Sequence, residues 1–293
     1  MKVMLVLVRT LGDVILINNL VDGILKKFGK AEIDVYINEQ YKCLIDRNKK
    51  ISTIYTEKDW FSCWDKIIDI VSTGKYDEVM IPQQLNSEDN VWHQLEEYRH
   101  QHLVDFYLDR CRLPKRDKDE KLQIYQSIND KVAVEKFITQ NNIMNFVVIH
   151  TTTLADGKNW SKFQELTNVL LSEGIQVVQV GGKTDKLIEG VFDARELLTI
   201  PQLGLLADRA INFIGLDSGL SYVAAASGAK VIVIQGSTIP KTSGPWGDNV
   251  TNIVSKTLPE CMNLRCHGNC RFPTGKCIDL ISIDEVLSAI NKK

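Results

Sequence analysis

The stretch from Ile211 to Gly236, INFIGLDSGLSYVAAASGAKVIVIQG, constrains this chain more than any other. Ile211 to Leu216 is an apolar run with the length and Ile/Phe content of a buried strand. Asp217-Ser218-Gly219 supplies turn chemistry, with short polar side chains that bond nearby backbone and then a residue of wide conformational range. Leu220 to Ser227 is Ala-rich and helical, Gly228 is placed to stop it, and Lys230 to Ile234 is a second strand. A strand-turn-helix-strand unit of this kind is the half-repeat of a doubly wound parallel sheet. Its turn lies at a helix N-terminus, where free N–H groups and the helix dipole favour an anion such as a phosphate. Asp217 there suits a sugar hydroxyl or a helix cap.

The same alternation runs through the whole chain, so the expected class is α/β with parallel strands. In the first half, Lys2 to Val8, Ile33 to Ile37, Ile51 to Tyr55 and Glu78 to Ile81 read as strands. Val14 to Phe28 and Trp60 to Thr73 read as helices. Glu88 to Cys111 also reads as a helix and carries His93, His100 and His102; solvated histidines with aromatics packing inward is the preferred reading there. The alternation restarts with strands over Phe146 to His150 and Ile175 to Val180, helices over Trp160 to Glu173 and Pro201 to Ala207, a strand at Thr251 to Val254 and a last helix from Ile283 to Asn291. A chain of 293 residues exceeds what one core usually covers. Two Rossmann-like domains are therefore expected, residues 1–142 and 143–293, with a ligand cleft between them at the carboxyl edges of the sheets.

Charge narrows the partners. The net charge of −2 gives no global attraction to nucleic acid, so an anion site has to be local. No apolar run has the length of a membrane span, and the apolar N-terminus, interrupted by Arg9 and Asp13, reads as a strand and helix rather than a signal peptide. A cytoplasmic protein is expected, with peripheral contact at the inner face of the inner membrane at most.

Four loops follow predicted strands. Thr10-Leu11-Gly12-Asp13 offers Asp13 as a helix cap or, within reach of a hydroxyl, as a general base. His150 to Trp160 holds Thr151, Thr152, Thr153 and Lys158, whose hydroxyls and ammonium suit phosphate oxygens, although no Walker motif is present. Gly181-Gly182 lets a nucleotide approach the backbone, with Asp185 nearby for ribose hydroxyls. The fourth is Asp217-Ser218-Gly219 itself, followed by Gln235-Gly236-Ser237-Thr238 and Ser243-Gly244-Pro245-Trp246-Gly247.

Taken in order, the Arg9 to Val14 segment, HTTT…KNW, VGG, the Thr199 to Leu206 helix, DSGLS and GPWG resemble glycosyltransferase family 9, the heptosyltransferases of lipopolysaccharide assembly and their relatives. The resemblance implies a GT-B fold of two Rossmann-like domains and inverting, metal-independent transfer from a nucleotide-activated sugar, ADP-heptose by family default. It implies a glycan, lipid-linked or protein acceptor in the N-terminal domain and the donor in the C-terminal one. By similarity Asp13 is the base, Thr151, Thr152, Thr153 and Lys158 match the diphosphate loop, and Gly181, Gly182 and Asp185 lie near the nucleotide. Asp217, Ser218 and Gly219 match the donor-binding turn. Two positions depart from the family: Tyr222 stands where many relatives have His, and Ile239 where they commonly have an acid. A same-fold sugar-nucleotide epimerase or hydrolase, and a non-catalytic sugar-nucleotide-binding protein, are the alternatives.

Of seven cysteines, Cys261, Cys266, Cys270 and Cys277 fall close together. Four thiolates can build a structural zinc or iron site, as some protein-modifying relatives do with iron, whereas free thiols or a labile disulfide are the other readings. No cofactor is expected for catalysis.

Overall fold

Strand β1 (Lys2–Leu7) is buried from Val3 to Leu7. A run apolar on both faces has to lie inside a sheet covered on both sides. It pairs in parallel with β2 (Glu32–Asn38) and with β4 (Glu78–Met80), and β3 (Thr53–Glu57) completes the order β3-β2-β1-β4. The computed structural model describes residues 1–58, 63–82, 100–236, 238, 240–256 and 277–290. They fall into two compact units, Met1–Tyr125 and Gln126–Lys293.

In the first unit the helix expected over Val14 to Phe28 divides into α1 (Leu11–Val14) and α2 (Ile17–Phe28). Extended backbone at Thr10 lets the helix begin at Leu11, ahead of Asp13. Ile17, Leu20, Val21 and Ile24 on α2 are wholly buried at helical spacing, and each contributes about 1.5–3 kcal/mol by leaving water. Helix α3 (Cys63–Ser72) follows β3. The helix expected over Glu88 to Cys111 is described only in part: α4 (Leu103–Arg110) starts after His102, whose Nδ1 accepts the Val104 N–H, and residues 83–99, with His93, lie outside the described residues. His100 is exposed in a turn.

The second unit opens with α5 (Ile128–Gln140), which packs on α7 (Ile200–Arg209). Gln126 donates to the Pro201 carbonyl and to Ser227, and α5 lies with the second compact unit, which starts at Gln126. The sheet is parallel throughout, in the order β10-β9-β8-β5-β6-β7. Its strands are β5 (Phe146–Ile149), β6 (Gln176–Gln179), β7 (Phe192–Asp193), β8 (Phe213–Leu216), β9 (Val231–Gln235) and β10 (Val250–Val254). Helices α6 (Phe163–Ser172), α8 (Gly219–Ala226) and α9 (Ile283–Ala289) complete it. The chain runs outward from β5 in one direction through β6 and β7, and from β8 in the other through β9 and β10. The order reverses between β5 and β8, and ligands bind where the loops leaving two such strands diverge. In the first unit β1 holds the same position, with β2 on one side and β4 on the other.

One core layer of the second unit joins Val147, Ile149, Phe163, Leu166, Ile214 and Ile234 to Ile278 and Val286 near the C-terminus. Trp160 meets Phe163 edge to face at 5.2 Å, and its indole N–H donates to the Ile281 carbonyl. Replacing Phe163 with Ala should cost about 3–5 kcal/mol in denaturant unfolding, because the side chain is buried in a dense layer that collapses poorly. A loss below about 1 kcal/mol would show that this layer is not packed as described.

Candidate functional site

In the second unit, the loops after β5, β6 and β8 gather most of the expected donor-binding residues. Asp217 follows β8 directly and is buried. Burial opposes its ionisation, but the Lys158 ammonium 2.8 Å from Oδ2 and the Ser243 hydroxyl at 3.2 Å outweigh it and hold the carboxyl below the usual carboxylate range. Lys158 comes from the short turn Asp156–Lys158, so the ion pair ties the β5 loop to the β8 loop. In this arrangement Asp217 does not cap α8; the cap position belongs to Ser218, whose side chain makes no capping bond. Its hydroxyl instead meets His150 Nδ1 at 3.1 Å, and Gly219 begins the helix. The first turn of an eight-residue helix thus carries N–H groups that a capping side chain does not take.

His150 is almost wholly buried, and burial lowers its pKa to about 4, so the ring is neutral near pH 7. Its Nε2 lies 3.8 Å from Asp185 Oδ2, which places this ring between the turn after β6 and the turn after β8. Asp185 folds back on its own loop: Oδ2 accepts the Gly182 N–H at 3.0 Å, and its carboxyl is raised by burial despite that bond and Arg195. Gly181 sits at φ +142°, and a Cβ there would fall 2.1 Å from the same oxygen. Only glycine permits that approach.

The three threonines part company. Thr151 Oγ1 accepts from Gln179 Nε2 at 3.3 Å and lies 3.4 Å from Thr152 Oγ1, so these two hydroxyls stand together at the end of β5. Thr153 closes its own loop, its N–H on Asn159 Oδ1 at 2.7 Å and its carbonyl receiving Asn159 Nδ2 at 3.1 Å.

In the first unit Asp13 is buried in the first turn of α1, at the carboxyl end of β1. The Thr10 hydroxyl donates to Oδ2 and the Tyr107 hydroxyl to Oδ1, each at 2.7 Å. Tyr41 stands near enough that the Asp13 charge adds to burial in raising its phenol, against a backbone bond from Leu11. Tyr107 and Tyr41 are site members that sequence reasoning missed, and no local signal marks them. Thr10, His150, Asn159 and Ser243 lay in the loops and motifs singled out above without roles of their own, His150 opening HTTT, Asn159 inside KNW and Ser243 just before GPWG.

Cys261, Cys266 and Cys270 lie outside the described residues, and the Cys277 carbonyl accepts the Ser255 hydroxyl. Among the described residues no set of His, Cys, Asp and Glu side chains is arranged to hold a metal, and no helix is long and apolar enough to cross a membrane.

The profile of glycosyltransferase family 9 (heptosyltransferase) matches residues 99–269. Lipopolysaccharide heptosyltransferase 3 of Escherichia coli is 21% identical over 290 residues, covering 82% of this chain and 84% of the relative. The fold is similar to a family 9 glycosyltransferase from Veillonella parvula DSM 2008, with a TM-score of 0.79 and 17% identity over 98% of this chain and 95% of the other. It is also similar to E. coli ADP-heptose lps heptosyltransferase II, with a TM-score of 0.71 and 17% identity over 99% and 97% of the two chains.

The buried neutral imidazole makes a testable demand. A His that resists protonation in the folded state but titrates near 6.5 when unfolded favours folding above that pH, and its contribution is lost as pH falls from 6.5 to about 4. Acidifying across that window should remove about 3 kcal/mol of stability, at about 1.4 kcal/mol per unit. His150→Gln should flatten that slope in denaturant titrations; an unchanged slope would place the effect elsewhere.

Proposed function

The chain belongs to glycosyltransferase family 9, and on that premise we propose that it moves heptose from an ADP-activated donor to a lipopolysaccharide-type acceptor, with Asp13 as general base. The family match over 99–269 supports the activity, and the name of the E. coli relative supports the acceptor class. The observation that carries the choice of base is the treatment of two buried carboxylates. Asp217 is paired with the Lys158 ammonium, whereas Asp13 is held, among the described residues, by two neutral hydroxyls. A carboxylate paired with an ammonium is the weaker proton acceptor of the two kinds.

In the proposed reaction the acceptor oxygen attacks the anomeric carbon of the heptose from the face opposite the diphosphate. The new carbon–oxygen bond forms as the bond to phosphate oxygen breaks, the hydroxyl proton passes to Asp13, and ADP leaves with the bonding pair. In the second unit, Thr151 and Thr152 and the opening N–H groups of α8 at Ser218 and Gly219 are placed to bind the diphosphate, where preorganised donors stabilise the growing charge. Lys158 acts there through Asp217 and by its proximity to the same turn. The turn of Gly181, Gly182 and Asp185 supports a nucleotide at the end of β6. The reaction belongs in the cytoplasm, with peripheral contact at the inner membrane at most. Four thiol ligands suit a structural iron or zinc ion at Cys261, Cys266, Cys270 and Cys277, and metal content below ~0.2 equivalent in protein purified without chelator would overturn that part.

Asp13→Ala should lower transfer by about 10²–10⁴-fold while donor binding survives. ADP-heptose at a hundredfold excess over its dissociation constant should stabilise wild type and variant alike by about 2.7 kcal/mol. Wild-type turnover in the variant would remove Asp13 from the role, and stabilisation by UDP- or GDP-sugars in place of ADP-heptose would overturn the donor assignment.

A further inference from the structure

Asp13 has a donor on each oxygen, and the two donors come from places far apart in the chain. Thr10 lies three residues before it, whereas Tyr107 lies 94 residues beyond it on α4. Tyr107 is wholly buried, with Phe106 and Leu108 beside it at about 1% exposure, so α4 is seated in the core and its phenol cannot turn to water. The α2 backbone comes close to α4 at Gly23, where a Cβ would fall 2.8 Å from Leu108 Cδ2. A buried phenol has to find an acceptor, and the acceptor it finds is Asp13 Oδ1 at 2.7 Å.

One donor on one oxygen leaves a carboxylate free to swing about its Cβ–Cγ bond. A donor on each oxygen does not, because rotation stretches one bond or the other. Each oxygen has two lone pairs, and the clamp occupies one on each, which leaves the remaining pairs pointing in set directions. Resting on the reading of Asp13 as base, we propose that Tyr107 and Thr10 are positioning residues that lock the Asp13 carboxylate so that a fixed lone pair meets the acceptor hydroxyl. Neither touches the reacting atoms; both act through Asp13. Their removal therefore lowers the rate of the transfer step and leaves the affinity for the donor alone. Small errors in the placement of a reacting group are enough to cost about 10²-fold.

The test is steady-state kinetics with ADP-heptose as donor and heptose-deficient lipopolysaccharide as acceptor, read as ADP release, on Asp13→Asn, Tyr107→Phe, Thr10→Val and Thr10→Ser. Tyr107→Phe keeps the ring and removes only the hydroxyl. The expected result is no turnover for Asp13→Asn, and kcat about tenfold or more lower for Tyr107→Phe and Thr10→Val with KM for ADP-heptose within about twofold of wild type. Thr10→Ser, which restores the hydroxyl, should recover most of the loss. Thermal unfolding of each variant shows whether it is folded; if Tyr107→Phe is not, the Val and Ser pair at Thr10 decides. Wild-type kcat in Tyr107→Phe and Thr10→Val beside an inactive Asp13→Asn would overturn the clamp and leave the base in place. A rise in KM together with lost stability in both would likewise overturn it, since that pattern marks a merely structural role. Full activity in Asp13→Asn would instead overturn the base on which the clamp rests.

Discussion

A carboxylate buried as completely as Asp217 survives ionised only if something replaces the water it has lost. Lys158 does so at 2.8 Å, and the arrangement of the surrounding loops follows from that pair. The two residues come from loops leaving β5 and β8, neighbouring strands at the point where the strand order reverses. Holding them together fixes the mouth between those loops, and with Asp217 so engaged the N-cap position passes to Ser218. The Ser218 hydroxyl turns to His150, and His150 in turn lies against the Asp185 turn. Three loops from three strands are thus coupled through one buried ion pair and one neutral imidazole.

The first unit solves the same problem differently, and the difference has a chemical consequence. Two hydroxyls provide hydrogen bonds to Asp13 without cancelling its charge, whereas an ammonium does both at Asp217. Hydroxyl donors are weaker than charged ones, so two similarly buried acids are held by different chemistry. Asp217 ties two loops together, and Asp13 is the carboxylate proposed above as the base.

Much of the fold was readable because continuous Val, Ile and Leu runs have few options: β1, β5, β8 and β9 all lie in sheet interiors, where their composition requires. Helix α5 was harder to place. It exposes Ile128 and Val132 and buries Asp130 and Val134, so its apolar residues do not mark the face that packs on α7. Its assignment to the second unit follows from tertiary contact, not from its pattern. Loop positions of the site were legible because glycine, threonine and aspartate follow strands in a set order. The partners of those residues were not: Tyr107 reaches Asp13 across 94 residues, and no local spacing encodes that meeting. Lys158 reads in sequence as a free cation for phosphate, yet its first obligation is to Asp217.

The same distinction bears on Tyr222, where this chain departs from the histidine of many relatives. Its ring is buried on α8, and its hydroxyl accepts the Gly244 N–H at 2.8 Å. Gly244 takes φ +101°, a conformation that side chains rarely tolerate, and a Cβ there would stand 2.9 Å from Gln235 Nε2. Ser243, the residue before it, is the one that donates to Asp217. A tyrosine reaches farther than an imidazole, so the longer side chain on α8 supports the loop from beneath while Ser243 ties it to the ion pair. In this chain the loop at Ser243 and Gly244 is thus held from two sides, by the Tyr222 hydroxyl and by the Asp217 carboxylate.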